Sequence, residues 1–154
     1  MGAASILIQQ IGIERIQPAF DLLLRFLTEE GFDTAPDQIR LNLQEFLGNP
    51  AYGTFLAYLN NEPVGIATVS TAISVELGGM AEFDDLYVLP AARNRGVAKA
   101  LIESALNWCR TEGRAYVQVT VTPEGEAAHS LTRFYRKLGF ADTDRKLLSR
   151  SLTQ

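Results

Sequence analysis

The sequence has one cysteine, Cys109, and one histidine, His129. A lone cysteine cannot close an internal disulfide and excludes a cysteine-built zinc cluster, and a lone histidine makes no histidine-rich metal centre. No metal is therefore expected, and the cytoplasm is the default compartment. Long apolar runs are equally scarce. The stretch from Phe20 to Leu27 is broken by Asp21 and Arg25 and falls well short of the ~20 apolar residues that span a bilayer. The start, Met1-Gly2-Ala3-Ala4-Ser5-Ile6, lacks the basic segment of a secretory signal, and Ile6 stands where a myristoylation site carries Ser or Thr. There is no repeat, low-complexity tract or linker. Basic charge is in deficit, with 14 Lys and Arg against 18 Asp and Glu for a net charge of −4. That sign argues against nucleic acid or an anionic membrane as partner and suits a cationic substrate.

What is present is an ordinary globular mixture, 47% hydrophobic and 21% charged over 154 residues, which predicts one domain covering residues 1–154. Periodicity orders the elements. Ile6, Ile8 and Ile11 suggest a first strand. Ile16, Phe20, Leu23, Leu24 and Leu27 recur at helical spacing up to Gly31, and a second helix opens at Asp37 after Pro36 and closes at Gly48-Asn49-Pro50. Thr54 to Leu59, the turn Asn60-Asn61-Glu62-Pro63 and Val64 to Val75 read as a hairpin, followed by a strand from Met80 to Leu89. A helix then begins at Gly96, with Val97, Leu101, Ile102, Ala105, Leu106 and Cys109 on one face, which makes Cys109 a core residue. A strand over Tyr116 to Val121, a helix from about Glu126 to Leu138 capped by Gly139, and a short strand around Lys146 to Leu152 complete the chain. The sum is an α/β (α+β) fold, a mixed central sheet of about six or seven strands with helices on both faces.

The most specific stretch runs from Leu86 to Lys99, where a strand passes through a short turn into a helix that begins at a glycine. The first turn of a helix leaves N–H groups unpaired at the positive end of the dipole, and small residues at Gly96 and Ala98 let a ligand approach the backbone. Arg93, Arg95 and Lys99 add positive charge. A diphosphate is the natural occupant. The single glycine is not the dinucleotide fingerprint, and the Gly-Lys-Ser/Thr of a P-loop is missing, which disfavours NAD and ATP.

Arg93-x-x-Gly96-x-Ala98, after a strand ending in Val88-Leu89-Pro90, resembles the central motif of the GNAT superfamily of acetyl-CoA-dependent N-acetyltransferases. A second family feature follows about forty residues later as Phe134-Tyr135-Arg136-Lys137-Leu138-Gly139-Phe140. The resemblance covers nearly the whole chain and implies the GNAT fold, with acetyl-CoA as co-substrate. It implies that backbone groups of Leu86, Tyr87 and Val88 pair with the pantetheine arm, and that the loop Arg93, Asn94, Arg95, Gly96, Val97, Ala98 and Lys99 holds the pyrophosphate. Tyr135 would protonate the departing thiolate. For the base, Glu82 lies six and Asp84 four positions before Val88, matching the acids of relatives resembling histone and diamine acetyltransferases respectively. Plain alternation puts Glu82, Asp84, Leu86 and Val88 on one face of the strand and Asp85 and Tyr87 on the other, unless a bulge shifts the parity.

The implied reaction is direct transfer in a ternary complex to a primary amine of a cationic small molecule, with Asp85 and Glu30 at the substrate and the region Glu29 to Ala35 walling the acceptor site. A protein or peptide acceptor, or a non-catalytic acyl-CoA-binding module, are the alternatives. The family pattern also implies a possible homodimer. One departure stands out: Ala128 and Leu131 occupy positions where many relatives carry Asn and Ala, leaving His129 or Ser130 as the polar groups nearby.

Overall fold

A computed structural model of the chain describes residues 4–153; Met1, Gly2 and Ala3 of the amino-terminal stretch read above lie outside them. The contacts divide the chain into two compact units, Met1–Thr120 and Val121–Gln154.

The first unit is built on a five-stranded sheet in the order β1-β2-β3-β4-β5. Its strands are β1 (Ile6–Gln10), β2 (Gly53–Leu59), β3 (Glu62–Ser74), β4 (Gly78–Val88) and β5 (Tyr116–Val119). The first four form an antiparallel meander, and β5 joins β4 in parallel. A parallel neighbour needs a crossover, which α3 (Val97–Thr111) supplies. The β2–β3 hairpin turns on Asn60 and Asn61, both with positive φ (50° and 65°). A two-residue turn of that hand matches the twist of the flanking strands, so the turn is shorter than the four residues expected.

Every residue of β2 is buried, as for a strand covered on both faces. Leu56, Tyr58, Ile66 and Tyr87 pack with Ala19, Leu22, Leu23 and Leu43, which places α1 (Ile16–Glu29) and α2 (Pro36–Leu47) on one face. On the other, Phe55 meets Trp108 of α3 edge-on at 5.9 Å. Val97, Leu101, Ile102, Ala105 and Cys109 form the buried stripe of α3, each fully buried aliphatic side chain contributing about 1.5–3 kcal/mol. Cys109 is thus a core residue, and burial pushes its thiol pKa up.

The second unit contains α4 (Pro123–His129) and α5 (Leu131–Lys137), where the sequence reads as one helix from Glu126. The break is Ser130, held in the left-handed region at φ 50°. Beyond it the Glu126 carboxylate accepts from the Thr132 backbone N–H at 2.8 Å and its hydroxyl at 2.5 Å, giving α5 its own start. The earlier start of α4 is explained by Thr122, whose hydroxyl accepts from the Gly125 N–H at 3.0 Å, with Pro123 in the first turn. The strand expected around Lys146 to Leu152 does not form; residues 145–153 carry no helix or strand and are exposed. The described sheet therefore has five strands rather than six or seven.

Candidate active site

The register of β3 against β4 fixes the geometry. Thr68 stands opposite Asp85 and Val69 opposite Phe83, so Asp84 is skipped in the register against β3 and forms a bulge. This overturns the plain alternation. Cross-strand partners share a face, so Glu82 opposite Ser70, Asp85 opposite Thr68 and Tyr87 opposite Ile66 lie on the face packed by α1 and α2. Leu86, opposite Ala67, and Val88, opposite Gly65, lie on the α3 face. One extra residue turns everything after it over.

The bulge brings three carboxylates together. Asp85 accepts from the Thr68 hydroxyl at 2.5 Å; burial pushes its pKa up, against the pull of that hydrogen bond. Glu82 is tied to the β5 edge, 3.4 Å from Gln118 Nε2 and 3.3 Å from Thr120 Oγ1. Asp84 has its carboxyl pKa pushed up to about 6, chiefly by burial and further by the charges of Asp85 and Glu82, while hydrogen bonds from Ser70 pull the other way.

Beyond the bulge the sheet opens. The last β4–β5 pair is Phe83 with Val119, whereas β3 accompanies β4 to Val88 and the Leu89 N–H reaches the Val64 carbonyl at 2.8 Å. In an antiparallel ladder that bond turns the backbone groups of Leu86 and Val88 outward, away from β3. An unpaired edge of this kind accepts an added strand-like ligand. The Tyr87 side chain, by contrast, is buried among α1 and the sheet.

The edge leads into the loop. Asn94 (φ 61°) and Gly96 (φ 82°) take left-handed conformations, and Gly96 is the first cap of α3, with no side chain capping the turn. The first helical bond is Ala100 N–H to Gly96 O at 3.0 Å, so the N–H groups of Val97, Ala98 and Lys99 have no partner within the helix. These groups and the open edge fit a linear ligand that ends in a diphosphate. Arg95 is exposed, Lys99 pairs with Glu103 at 3.8 Å, and Val97 turns its side chain into the core. Arg93 does not point its guanidinium into the loop: Nε donates to the Val88 carbonyl at 2.9 Å and a terminal nitrogen to Glu29 at 3.1 Å. Glu29, rather than its neighbour Glu30, makes that link; Glu30 closes α1 as its last cap, half-buried.

In the second unit, Tyr135 is buried and its phenol pKa is pushed up to about 12 by burial. The helix ends in paired reverse bonds, Phe140 N–H to Tyr135 O at 3.1 Å and Gly139 N–H to Arg136 O at 3.0 Å, with Gly139 at φ 93°. Such a cap brings the residue after the glycine against the one five before it, and the Tyr135 and Phe140 rings meet at 5.3 Å. The Tyr-x-x-x-Gly-Phe spacing is thereby a device for fixing a tyrosine. Ala128, His129 and Ser130 are all exposed.

Sequence reasoning missed Thr68, Ser70, Gln118 and Thr120. The available signal was polar Thr68 inside an otherwise apolar run from Val64 to Val69, with Ser70 directly after it, but which acid each serves depends on the register.

A stretch of 94 residues is 34% identical to an uncharacterized N-acetyltransferase of Methanocaldococcus jannaschii, covering 60% of this chain and 40% of that protein. An aminoglycoside N(6')-acetyltransferase type 1 of Salmonella typhimurium is 27% identical over 120 residues, 75% of this chain and 81% of that one. Among solved structures, the aminoglycoside N-acetyltransferase AAC(6')-Iy in complex with CoA superposes with a TM-score of 0.83 at 21% identity, covering 99% of this chain and 98% of that one. The model of the Acetyltransferase (GNAT) family matches residues 16–140, and the chain belongs to that family of acetyltransferases.

Proposed function

We propose that the chain transfers the acetyl group of acetyl-CoA to a primary amine on a cationic small molecule, in a ternary complex without a covalent enzyme intermediate. The observation that carries this reading is the three-acid bulge standing immediately before an unpaired strand edge and an uncapped helix start. The family match over residues 16–140 runs across the boundary between the two units, which supports reading the chain as one functional domain.

Outward backbone groups of Leu86 and Val88 would bind the pantetheine arm, and the N–H groups from Asn94 to Lys99 the pyrophosphate. Acetyl-CoA, when bound, supplies the acetyl group as an activated thioester. Asp84 is the proposed base: an alkylammonium carries a proton that must leave before nitrogen can attack, and a carboxylate raised to about 6 accepts it better than an ordinary one. Asp85 and Glu82 hold negative charge beside it and favour a cationic acceptor. Tyr135, protonated throughout the neutral range with its pKa near 12, is the proposed donor of a proton from Oη to the leaving sulfur. Side-by-side placement of nucleophile and thioester supplies the rest of the acceleration.

The named activity of the Salmonella relative favours amino sugars among cationic amines. The test is a free-thiol release assay with acetyl-CoA over aminoglycosides, polyamines, amino-acid derivatives and a peptide library. Turnover with cationic small amines supports the reading. Modification of peptides alone refutes the acceptor class while keeping the chemistry.

A further inference from the structure

We propose that Glu29 is a positioning residue for the acyl-CoA site, holding the open edge of β4 and the loop after it through Tyr87 and Arg93. The inference rests on the acetyltransferase reading above. Glu29 is the last residue of α1, yet its carboxylate reaches two residues some sixty positions downstream. Oε1 accepts from the Tyr87 hydroxyl at 2.6 Å and Oε2 from Arg93 at 3.1 Å. The Arg93 guanidinium lies 5.7 Å from the centre of the Tyr87 ring, which itself packs against Phe26 of α1 at 5.5 Å. From there Arg93 Nε holds the carbonyl of Val88, a group that the ladder turns outward along the edge a pantetheine arm would occupy.

This arrangement gives Arg93 a specific task. A surface arginine ahead of a diphosphate loop would ordinarily serve as a mobile cation. Here its charge is balanced by Glu29 and its planar fork is divided between a carboxylate and a backbone carbonyl. It therefore acts as a strut between the end of β4 and the left-handed Asn94, fixing where the following N–H groups begin. Because the anchor sits on the last turn of α1, next to the segment Glu30 to Ala35, the same link joins the cofactor edge to the expected acceptor wall.

The test is calorimetric binding of acetyl-CoA to the full chain and its Glu29→Ala, Glu29→Gln, Tyr87→Phe and Glu29→Ala/Tyr87→Phe variants, with melting curves and steady-state kinetics beside it. Charge-assisted hydrogen bonds of this kind set the scale. Glu29→Ala is expected to weaken acetyl-CoA binding about tenfold, and Glu29→Gln, which still accepts from Tyr87, about threefold. Tyr87→Phe is expected to cost about threefold, and the double variant no more than Glu29→Ala alone, since the hydroxyl acts through the carboxylate. The loss appears in the KM for acetyl-CoA rather than in kcat. Folded Glu29 variants that bind as tightly as the unaltered chain, or more tightly because Arg93 is released to the diphosphate, overturn the proposal alone. A purely structural role also overturns it, and shows as lower melting temperature and fewer competent sites at an unchanged dissociation constant. An unaltered chain that binds no acetyl-CoA overturns the acetyltransferase reading and this inference with it.

Discussion

Thr68 stands directly across the sheet from Asp85 and donates its hydroxyl to that carboxylate at 2.5 Å, while Asp84, one residue earlier, is skipped by the register of β3. That offset separates two neighbouring acids into different roles. Asp85 is a carboxylate held by Thr68, and Asp84 is the bulge residue, bonded to Ser70.

The first prediction concerns pH. If Asp84 is the base, kcat/KM rises as pH passes through about 6 and levels off above. Asp84→Asn removes that limb and lowers the rate by about 100-fold. Stability moves the other way. The pKa in the fold is raised from 3.8 to about 6, so the fold favours the protonated form; the stability the group contributes is full below its unfolded pKa and is lost as pH rises to the folded one. Asp84→Asn should therefore melt higher than the unaltered chain at pH 7 and alike at pH 3. Thermal melts across that range check the sign.

Tyr135→Phe keeps the ring packed between Phe134 and Phe140, at 5.1 and 5.3 Å, and removes only the hydroxyl. Acetyl-CoA binding and melting temperature should hold while kcat falls by about 100-fold. Stopped-flow thiol release beside calorimetry reads both, and unaltered turnover contradicts the assignment of the acid.

Gly96→Ala meets little steric resistance, since the nearest atom to an added Cβ is Ile6 Cδ1 at 4.0 Å. The cost is conformational, because φ is 82° and a residue with a Cβ loses about 1–2 kcal/mol there. Weaker acetyl-CoA binding with a small drop in stability is expected, measured by titration and denaturant unfolding.

In the core, the Tyr58 hydroxyl is buried with no hydrogen-bond partner among the described residues. Its removal forfeits no protein hydrogen bond, so Tyr58→Phe should change stability by less than about 0.5 kcal/mol or raise it. Urea denaturation of the two proteins is sufficient.

Most of the fold was legible because the signals were local. The apolar stripes of α1 and α3 follow from 3.6-residue spacing, and the loop from Arg93 to Lys99 follows from a glycine placed where a helix begins. What escaped depended on pairing between distant segments. The bulge at Asp84 exists only in the register against β3, so the facing of Leu86 and Val88 came out reversed in a reading by alternation. Ser130 divides what periodicity joins, because a single left-handed residue leaves the apolar pattern intact. The Arg93 side chain reads as a loop cation until Glu29, far away in sequence, is seen to hold it.

Transfer of acetyl from acetyl-CoA to an amine is tested by following free thiol released from acetyl-CoA with and without a cationic amine, on a preparation shown by calorimetry to bind acetyl-CoA. Saturable binding is expected, with thiol release that requires the amine and falls by about 100-fold in Tyr135→Phe. A folded chain that binds acetyl-CoA yet releases no thiol with any amine or peptide would contradict it.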